Sequence, residues 1–166
     1  RTVAPLAMKE CDFTFADTAW MMQWHSLGMF APSFFTGHLI VRFGVVNVML
    51  CGALLFTATL AIDFAGVGLH HFFVGMALLG IGWNFLFVGG TTLLVQTHTP
   101  TEAAKVQGFN DFLMWTSVTL AVLAAGALQS DLGWTFVNIG VVPVVALAVA
   151  VTLWLKLSGR KLAPAV

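Results

Sequence analysis

Long apolar stretches follow one another along the chain, separated by short polar connections, and this pattern predicts transmembrane helices. A bilayer core of about 30 Å is crossed by roughly 20 helical residues. Stretches of about that length lie near residues 18–40, 45–62, 69–95, 109–128 and 135–155. We therefore expect an all-α membrane protein with five transmembrane helices, in which residues 1–166 form a single transmembrane domain.

The composition favours lipid as the solvent around this chain. Hydrophobic residues make up 59% of the sequence and charged residues 8%, whereas about a quarter of the residues in a soluble domain are charged. A soluble protein this apolar would expose hydrophobic patches that soluble monomers avoid. The lipid bilayer is the expected partner, and nucleic acid is not, because no basic patch with interleaved aromatic residues is present.

Basic residues predict the orientation of the spans, since Lys and Arg collect on the cytoplasmic side. Most of the basic residues lie in alternate connections or near the C-terminus: Arg42, Lys105, Lys156, Arg160 and Lys161. The other face holds one lysine, Lys9, among acidic residues. We therefore place 41–44, 96–108 and the C-terminus in the cytoplasm, with the chain in the cell (inner) membrane.

Residues 1–8 are mostly apolar and include Pro5. Proline is tolerated in membrane helices. The segment is interpreted as the outer end of a truncated helix, and a disordered N-terminal tail is the alternative.

Polar side chains cluster in the first span. Gln23, His25 and Ser26 lie within two turns of one another, and Pro32 follows them. A proline inside a helix removes a backbone donor and produces a kink. Polar groups at membrane depth should face other helices or water. The three residues are therefore candidates for a substrate or proton pathway, although a histidine bonded across a helix interface explains His25 equally well.

The third span carries a seven-residue glycine repeat, which predicts a helix-packing seam because missing side chains let a neighbouring backbone approach. The repeat consists of Gly68, Gly75, Gly82 and Gly89. Asn84 and Thr91 lie on a different stripe, since Asn84 is rotated about 200° from Gly82 at 100° per residue. They are pathway candidates, and an interhelical hydrogen bond is the alternative for Asn84.

The fourth span begins with a polar pair and continues with hydroxyl groups. Asn110 and Ser117 are pathway candidates. Asp111 is interpreted as a carboxylate near the helix start, favoured by the macrodipole. The functional alternative for Asp111 is a gating charge that pairs with Arg42 or Lys105.

No pattern in the sequence points to an enzyme, a cofactor or a metal site. Nucleophile–base pairs and phosphate-binding glycine loops are not apparent. His25 lies about two turns deeper than His70, roughly 10 Å at 1.5 Å per residue, so a depth-matched pair of haem ligands is not predicted.

A motif between the first two spans carries a family resemblance. The stretch GHLIVRFG resembles the G-x-L-a-D-r-x-G loop motif of the major facilitator superfamily, with matches at Gly37, Leu39, Arg42 and Gly44. Val41 occupies the aspartate position, so the charge–dipole latch attributed to that motif cannot operate through this residue. The glycine-rich third span and the stretch QGFND at 107–111 are also similar to this family.

The resemblance implies a partial six-helix bundle, in which the five spans correspond to helices eight to twelve. It also implies part of a secondary active transporter that moves a small solute by alternating access, usually with proton coupling. The implied partners are the N-terminal six-helix half of the same transporter and an unknown small-molecule substrate, and no transport is expected from this chain alone. The alternative is a small helical scaffold or assembly subunit in which the same polar residues only join helices.

Overall fold

The computed structural model describes residues 3–158, apart from the side chains of Val3 and Ser130, and is helical throughout except for short connections. The all-α prediction is confirmed. The helices are α1 (Val3–Glu10), α2 (Phe15–Phe30), α3 (Ser33–Phe43), α4 (Val45–Ala65), α5 (Leu69–Val95), α6 (Ala103–Leu132) and α7 (Trp134–Leu157).

Four helices of the described chain, α4 to α7, are long and apolar enough to cross a membrane. The predicted first span, near 18–40, is divided between α2 and α3 at Pro32, the residue at which the sequence predicts a kink. Pro32 causes the division, because it has no N–H to continue the helical ladder. Together α2 and α3 cover residues 15–43, which includes the predicted stretch.

Single glycines connect two pairs of helices. Gly44 joins α3 to α4 with φ +85°, and Gly133 joins α6 to α7 with φ +81°. Both angles fall in the region where a Cβ is disfavoured, so glycine allows these reversals without strain. The predicted loop at 41–44 is thus mostly helix, since α3 continues to Phe43.

The helices form a ring in which the packing order differs from the chain order: α2, α5, α4, α7, α6. Helix α5 packs between α2 and α4, α4 packs on α7, and α7 packs on α6. The eight residues of α1 contact both α6 and α2 and close the circle at one end. A cluster of buried apolar side chains lies there: Ala4, Ala7, Met8, Met21, Phe72 and Met76.

The glycine repeat faces α4 at three of its four positions. A Cβ on Gly75 would lie 2.9 Å from Asp63 Oδ1, one on Gly82 would lie 2.8 Å from the Phe56 ring, and one on Gly89 would overlap Met49. Gly68 precedes α5 and lies against His71 in the first turn of α5, not against α4. The seam is therefore a contact between α4 and α5 at Gly75, Gly82 and Gly89, and the inclusion of Gly68 was wrong.

The basic residues of the C-terminus, Arg160 and Lys161, lie outside the described residues, as do the first two residues of the predicted truncated helix. The orientation of the chain in the membrane stays a prediction.

Candidate functional site

The backbones of α2 and α5 approach each other at a pair of glycines. A Cβ added to Gly80 would lie 2.5 Å from the carbonyl oxygen of His25, and one added to Gly28 would lie 2.9 Å from that of Ala77. No side chain larger than hydrogen fits at such distances, so these glycines permit the contact. One turn earlier in α2, His25 is buried and its Nδ1 lies 2.9 Å from the Met76 carbonyl oxygen. Because a carbonyl can only accept, Nδ1 carries the proton and donates it.

Asn84 of α5 bonds to both sides of the break between α2 and α3. Its Nδ2 donates to the Met29 carbonyl oxygen at 2.7 Å and to Ser33 Oγ at 2.6 Å. Its Oδ1 accepts from Thr36 Oγ1 at 2.6 Å. The side chain is 2% exposed, and the carbonyl of Met29 fixes the amide orientation because it can only accept. We call these residues, Met29, Ser33, Thr36 and Asn84, the Asn84 cluster.

The pathway candidates on α2 separate into two faces. His25 points into the α2–α5 contact, whereas Gln23 and Ser26 line an open groove of about 500 Å³. The other lining residues are apolar: Met22, Leu27 and Phe30. We call this surface the α2 groove.

A similar groove lies on α6. Asp111, Thr116 and Thr119 line a space of about 410 Å³ together with Phe112, Trp115 and Leu120. We call this surface the α6 groove. Asn110 and Ser117 are not among its lining residues; Ser117 donates to the carbonyl of Leu113 in its own helix at 2.8 Å.

Asp111 is not at a helix start. Helix α6 begins at Ala103, so Asp111 is its ninth residue and lies more than two turns from the N-terminus. The macrodipole acts within the first turn, and the interpretation of Asp111 as a helix-start carboxylate is therefore wrong. The sequence placed the helix start too late because residues 103–108 are less apolar than the span that follows. Asn110 Nδ2 donates to Asp111 Oδ1 at 3.4 Å.

Helix α1 contacts both α2 and α6 at one end of the bundle. It packs against α2 through the buried cluster and against α6 through Gln129, whose Nε2 donates to Glu10 Oε2 at 2.8 Å. The α2 groove and the α6 groove therefore belong to helices on either side of α1. Both surfaces expose polar groups within apolar surroundings.

Thr91, the remaining candidate of α5, bonds within its own helix. Its Oγ1 lies 2.9 Å from the carbonyl oxygen of Phe87 and 3.0 Å from that of Val88. Of the motif residues, Gly37, Leu39 and Arg42 are part of α3 and Gly44 is the turn after it. Arg42 is exposed, and its guanidinium lies 5.4 Å from the ring centroid of Phe43.

Sequence reasoning missed Ser33 and Thr36 in the Asn84 cluster and gave no site role to Thr116 and Thr119. One signal was available for α6, because Asp111, Trp115 and Thr119 are four residues apart and share a helical face. No comparable signal links Asn84 to Ser33, since the two are separated by the rest of α3, all of α4 and about half of α5. Within residues 3–158, the structure brings together no group of three His, Cys, Asp or Glu side chains that could hold a metal ion.

Comparison with known proteins agrees with this architecture. Residues 2–165 match the family model of the Major Facilitator Superfamily. The chain is 43% identical over 159 residues to the riboflavin transporter RfnT of Brucella anthropi, which covers 96% of this chain and 40% of that protein. It is 28% identical over 155 residues to the uncharacterized MFS-type transporter YddS of Bacillus subtilis, covering 92% of this chain and 36% of the relative.

The chain thus spans about two fifths of the length of the curated relatives it matches. No solved structure matches it. The membrane-spanning helices and the match along nearly the whole sequence lead to one conclusion: the chain belongs to the Major Facilitator Superfamily of transporters.

Proposed function

We propose that this chain forms one wall of the solute path of a secondary active transporter that works by alternating access. The observation that carries the proposal is the pair of open grooves on α2 and α6, where Gln23, Ser26, Asp111, Thr116 and Thr119 lie among apolar and aromatic side chains. Ligand sites commonly combine an apolar lining with a few polar groups that orient the ligand.

Lipid offers no hydrogen-bond partners to the polar groups of the α6 groove. An acidic side chain that faces hydrocarbon at the centre of a transmembrane helix costs about 2.5–3.5 kcal/mol on the lower scales, and less towards the helix ends. Asp111 and its hydroxyl neighbours are exposed in this structure. A water-filled path, or a second bundle that encloses one, gives these groups partners, and lipid does not. The proposed partner is the N-terminal six-helix half of the same transporter.

The substrate we propose is riboflavin or a closely related flavin, because the relative that is 43% identical to this chain is a riboflavin transporter. A flavin joins a planar, largely apolar ring system to a chain of hydroxyl groups. Phe30, Phe112 and Trp115 offer surfaces for the ring, and the amide and hydroxyl groups of the grooves offer partners for the chain.

Coupling to protons and the orientation with the C-terminus in the cytoplasm of the inner membrane are parts of the same proposal. Asp111 is the exposed carboxylate of the α6 groove, and we assign it the role of gating charge. His25 is a weaker candidate for this role, since its Nδ1 proton is donated to the Met76 carbonyl.

A chimera tests the proposal. This chain replaces the matching 159-residue segment of the B. anthropi riboflavin transporter, and the chimera is expressed in a bacterium that cannot synthesise riboflavin. We expect growth on low riboflavin and uptake of radiolabelled riboflavin. Asp111→Asn should reduce uptake about tenfold or more, as the loss of an essential charge does.

A control separates folding from function. Membrane insertion of each chimera is checked by fluorescence of a C-terminal fusion and by a monodisperse profile in mild detergent. A chimera that inserts normally but takes up no riboflavin would contradict the proposed substrate. Uptake that is unchanged in Asp111→Asn would contradict the role of that carboxylate.

A further inference from the structure

We infer that Asn84 is a positioning residue that sets the angle between α2 and α3, and that this angle controls the rate at which the α2 groove changes its exposure. The first part concerns the fold alone, and the second part rests on the proposed transport function. The two parts are tested by separate measurements.

The joint between α2 and α3, formed by Ala31 and Pro32, lacks part of the backbone hydrogen bonding of a continuous helix. Pro32 has no N–H, so the carbonyl oxygen of Gly28 loses the donor that it would have in a continuous helix. Beyond the joint the hydrogen bonds shift to carbonyls three residues back: Phe34 N donates to Ala31 O at 3.4 Å and Phe35 N to Pro32 O at 2.8 Å. A ladder interrupted in this way allows the two segments to bend relative to each other.

Asn84 holds this joint from a third helix. It donates to the Met29 carbonyl in the last turn of α2 and, at the same time, bonds the side chains of Ser33 and Thr36 in the first turn of α3. All three distances are 2.6–2.7 Å. One buried amide therefore determines the position of both ends of the joint with respect to α5.

The two segments depend on Asn84 to different degrees. Helix α2 has other attachments to α5, namely the Gly28–Gly80 approach and the bond from His25 to Met76. Helix α3 has its buried apolar contacts two turns beyond the joint, through Ile40, in a cluster with Val45 and Val48 of α4. Partly buried residues of α5 also pack against that cluster: Phe85, Val88 and Leu93. Loss of the Asn84 bonds should thus leave α2 in place and release the first turn of α3.

The α2 groove ends at this joint. Phe30, the last residue of α2, lines the groove, and its neighbour Met29 supplies the carbonyl that Asn84 binds. A change in the angle of the joint therefore moves the first turn of α3 relative to Phe30, at the end of the groove, while the lining residues of α2 stay in place. Asn84 itself is buried and is not among the residues that line the α2 groove.

An asparagine satisfies all of these contacts and an aspartate does not. The amide supplies two N–H donors and one acceptor oxygen. Asn84→Asp keeps the shape but replaces the donors with an oxygen, which would face the Met29 carbonyl oxygen. That carbonyl can only accept, so its bond is lost, whereas the Ser33 hydroxyl can reorient and donate to the carboxylate. Thr91→Val is the matched control, because Thr91 lies two turns further along α5 and bonds only to carbonyls of its own helix among the hydrogen bonds described.

The angle is measured by pulsed electron paramagnetic resonance in the full-length chimera, with nitroxide labels at Trp24→Cys and Val41→Cys. Both positions are exposed, at 50% and 76%, and the native Cys11 and Cys51 are replaced by serine. The labels are about 25 Å apart along the helices at 1.5 Å per residue. We expect one narrow distance distribution for the chimera with the native Asn84 and for its Thr91→Val variant. In Asn84→Asp and Asn84→Ala the distribution should be shifted or broadened by about 3 Å or more, as expected for a released joint. Unchanged distributions in both Asn84 variants would overturn the inference.

Transport kinetics test the second part. Asn84→Asp should lower Vmax for riboflavin about tenfold with KM changed less than about threefold, since it alters a conformational step and not a contact with the solute. Thr36→Val removes one bond of the cluster and should lower Vmax about threefold; this milder variant decides the outcome if Asn84→Asp does not insert. A raised KM with normal Vmax would overturn the positioning role. If the chimera moves no riboflavin at all, the proposed substrate fails, and the label distances still decide whether Asn84 sets the angle.

Discussion

Helices α5 and α6 are both long and apolar, yet their polar side chains differ in burial and in hydrogen-bond partners. In α5, Asn84 is buried and bonds to two other helices. In α6, no residue of the most apolar 18-residue stretch is buried, and Ser117 and Thr119 bond to carbonyls of their own helix at 2.8 Å. Asn84 therefore joins helices in one region, whereas the hydroxyl groups of Ser117 and Thr119 in the other region bond only within their own helix among the hydrogen bonds described.

The difference follows from glycine. Helix α5 has Gly75, Gly82 and Gly89 against α4 and Gly80 against α2. Neighbouring backbones therefore come close enough for short side chains to reach them. In α6, a Cβ added to Gly108 or Gly126 would meet no atom of the described residues within 4 Å. Close approach, rather than the presence of polar residues, decides which helix belongs to the packed part of the bundle and which contributes an open wall.

The largest effect is expected from a methyl group at the closest contact. Gly80→Ala places a Cβ 2.5 Å from the His25 carbonyl oxygen, and overpacking of this kind costs about 1–3 kcal/mol. Gly126→Ala in α6, where nothing lies within 4 Å, should change the free energy of unfolding by less than about 0.5 kcal/mol. SDS-induced unfolding in mixed micelles measures both. Equal losses in the two variants would remove the contrast between the helices.

A smaller effect is expected at His25. His25→Leu removes the bond to the Met76 carbonyl, and side-chain hydrogen bonds between membrane helices contribute about 0.6 kcal/mol on average and up to about 1.7. Gln23→Leu, two residues away in the α2 groove, should leave the unfolding free energy nearly unchanged and reduce riboflavin uptake by the chimera. If His25→Leu is as stable as the parent, the buried histidine does not join α2 to α5.

The smallest effect is expected at the connection between α5 and α6. Hydrogen bonds from the Thr99 side chain and backbone lower the pKa of Glu102 below its ordinary value of 4.5. A carboxyl group whose pKa is lower in the folded state stabilises that state above the ordinary pKa, and the contribution is lost as the pH falls through the lowered value. The group is fully exposed, so the effect on stability should be minor. NMR titration of the Glu102 side chain should show a midpoint below 4.5 that rises towards 4.5 in Thr99→Val; an identical midpoint in both proteins would contradict this assignment.

Much of the fold could be predicted from the sequence because membrane helices are defined by a local property, an apolar stretch of sufficient length. The same property gave the wrong start for α6, where the helix continues for six residues beyond the apolar stretch. The break after α2 was expected from Pro32 as a kink, but its stabilisation by Asn84 depends on contacts across 48 to 55 positions of sequence. For His25 and Asn84 the sequence left two roles open, and the structure shows interhelical bonds for both.

The grooves were harder to predict. Gln23 and Ser26 were selected because polar residues in a span need partners, and they do share a groove. Asn110 and Ser117 were selected on the same grounds and lie off the α6 groove, while Thr116 and Thr119 line it. The spacing of Asp111, Trp115 and Thr119 marks one face of α6. Whether that face is open depends on how α6 packs on α7 and α1, which this local pattern does not show.

The central claim is that the α6 groove faces the solute path, and labelling of single cysteines in the chimera tests it most directly. Thr116→Cys lies in the groove, and Ala121→Cys, rotated by about 140° at 100° per residue, lies near the opposite side of the same helix. A small water-soluble thiol reagent should modify Thr116→Cys at least about tenfold faster than Ala121→Cys, because lipid-facing positions lack the water that the thiolate needs. Riboflavin should slow the first reaction and leave the second unchanged. Equal rates at the two positions, with no protection by riboflavin, would contradict the account.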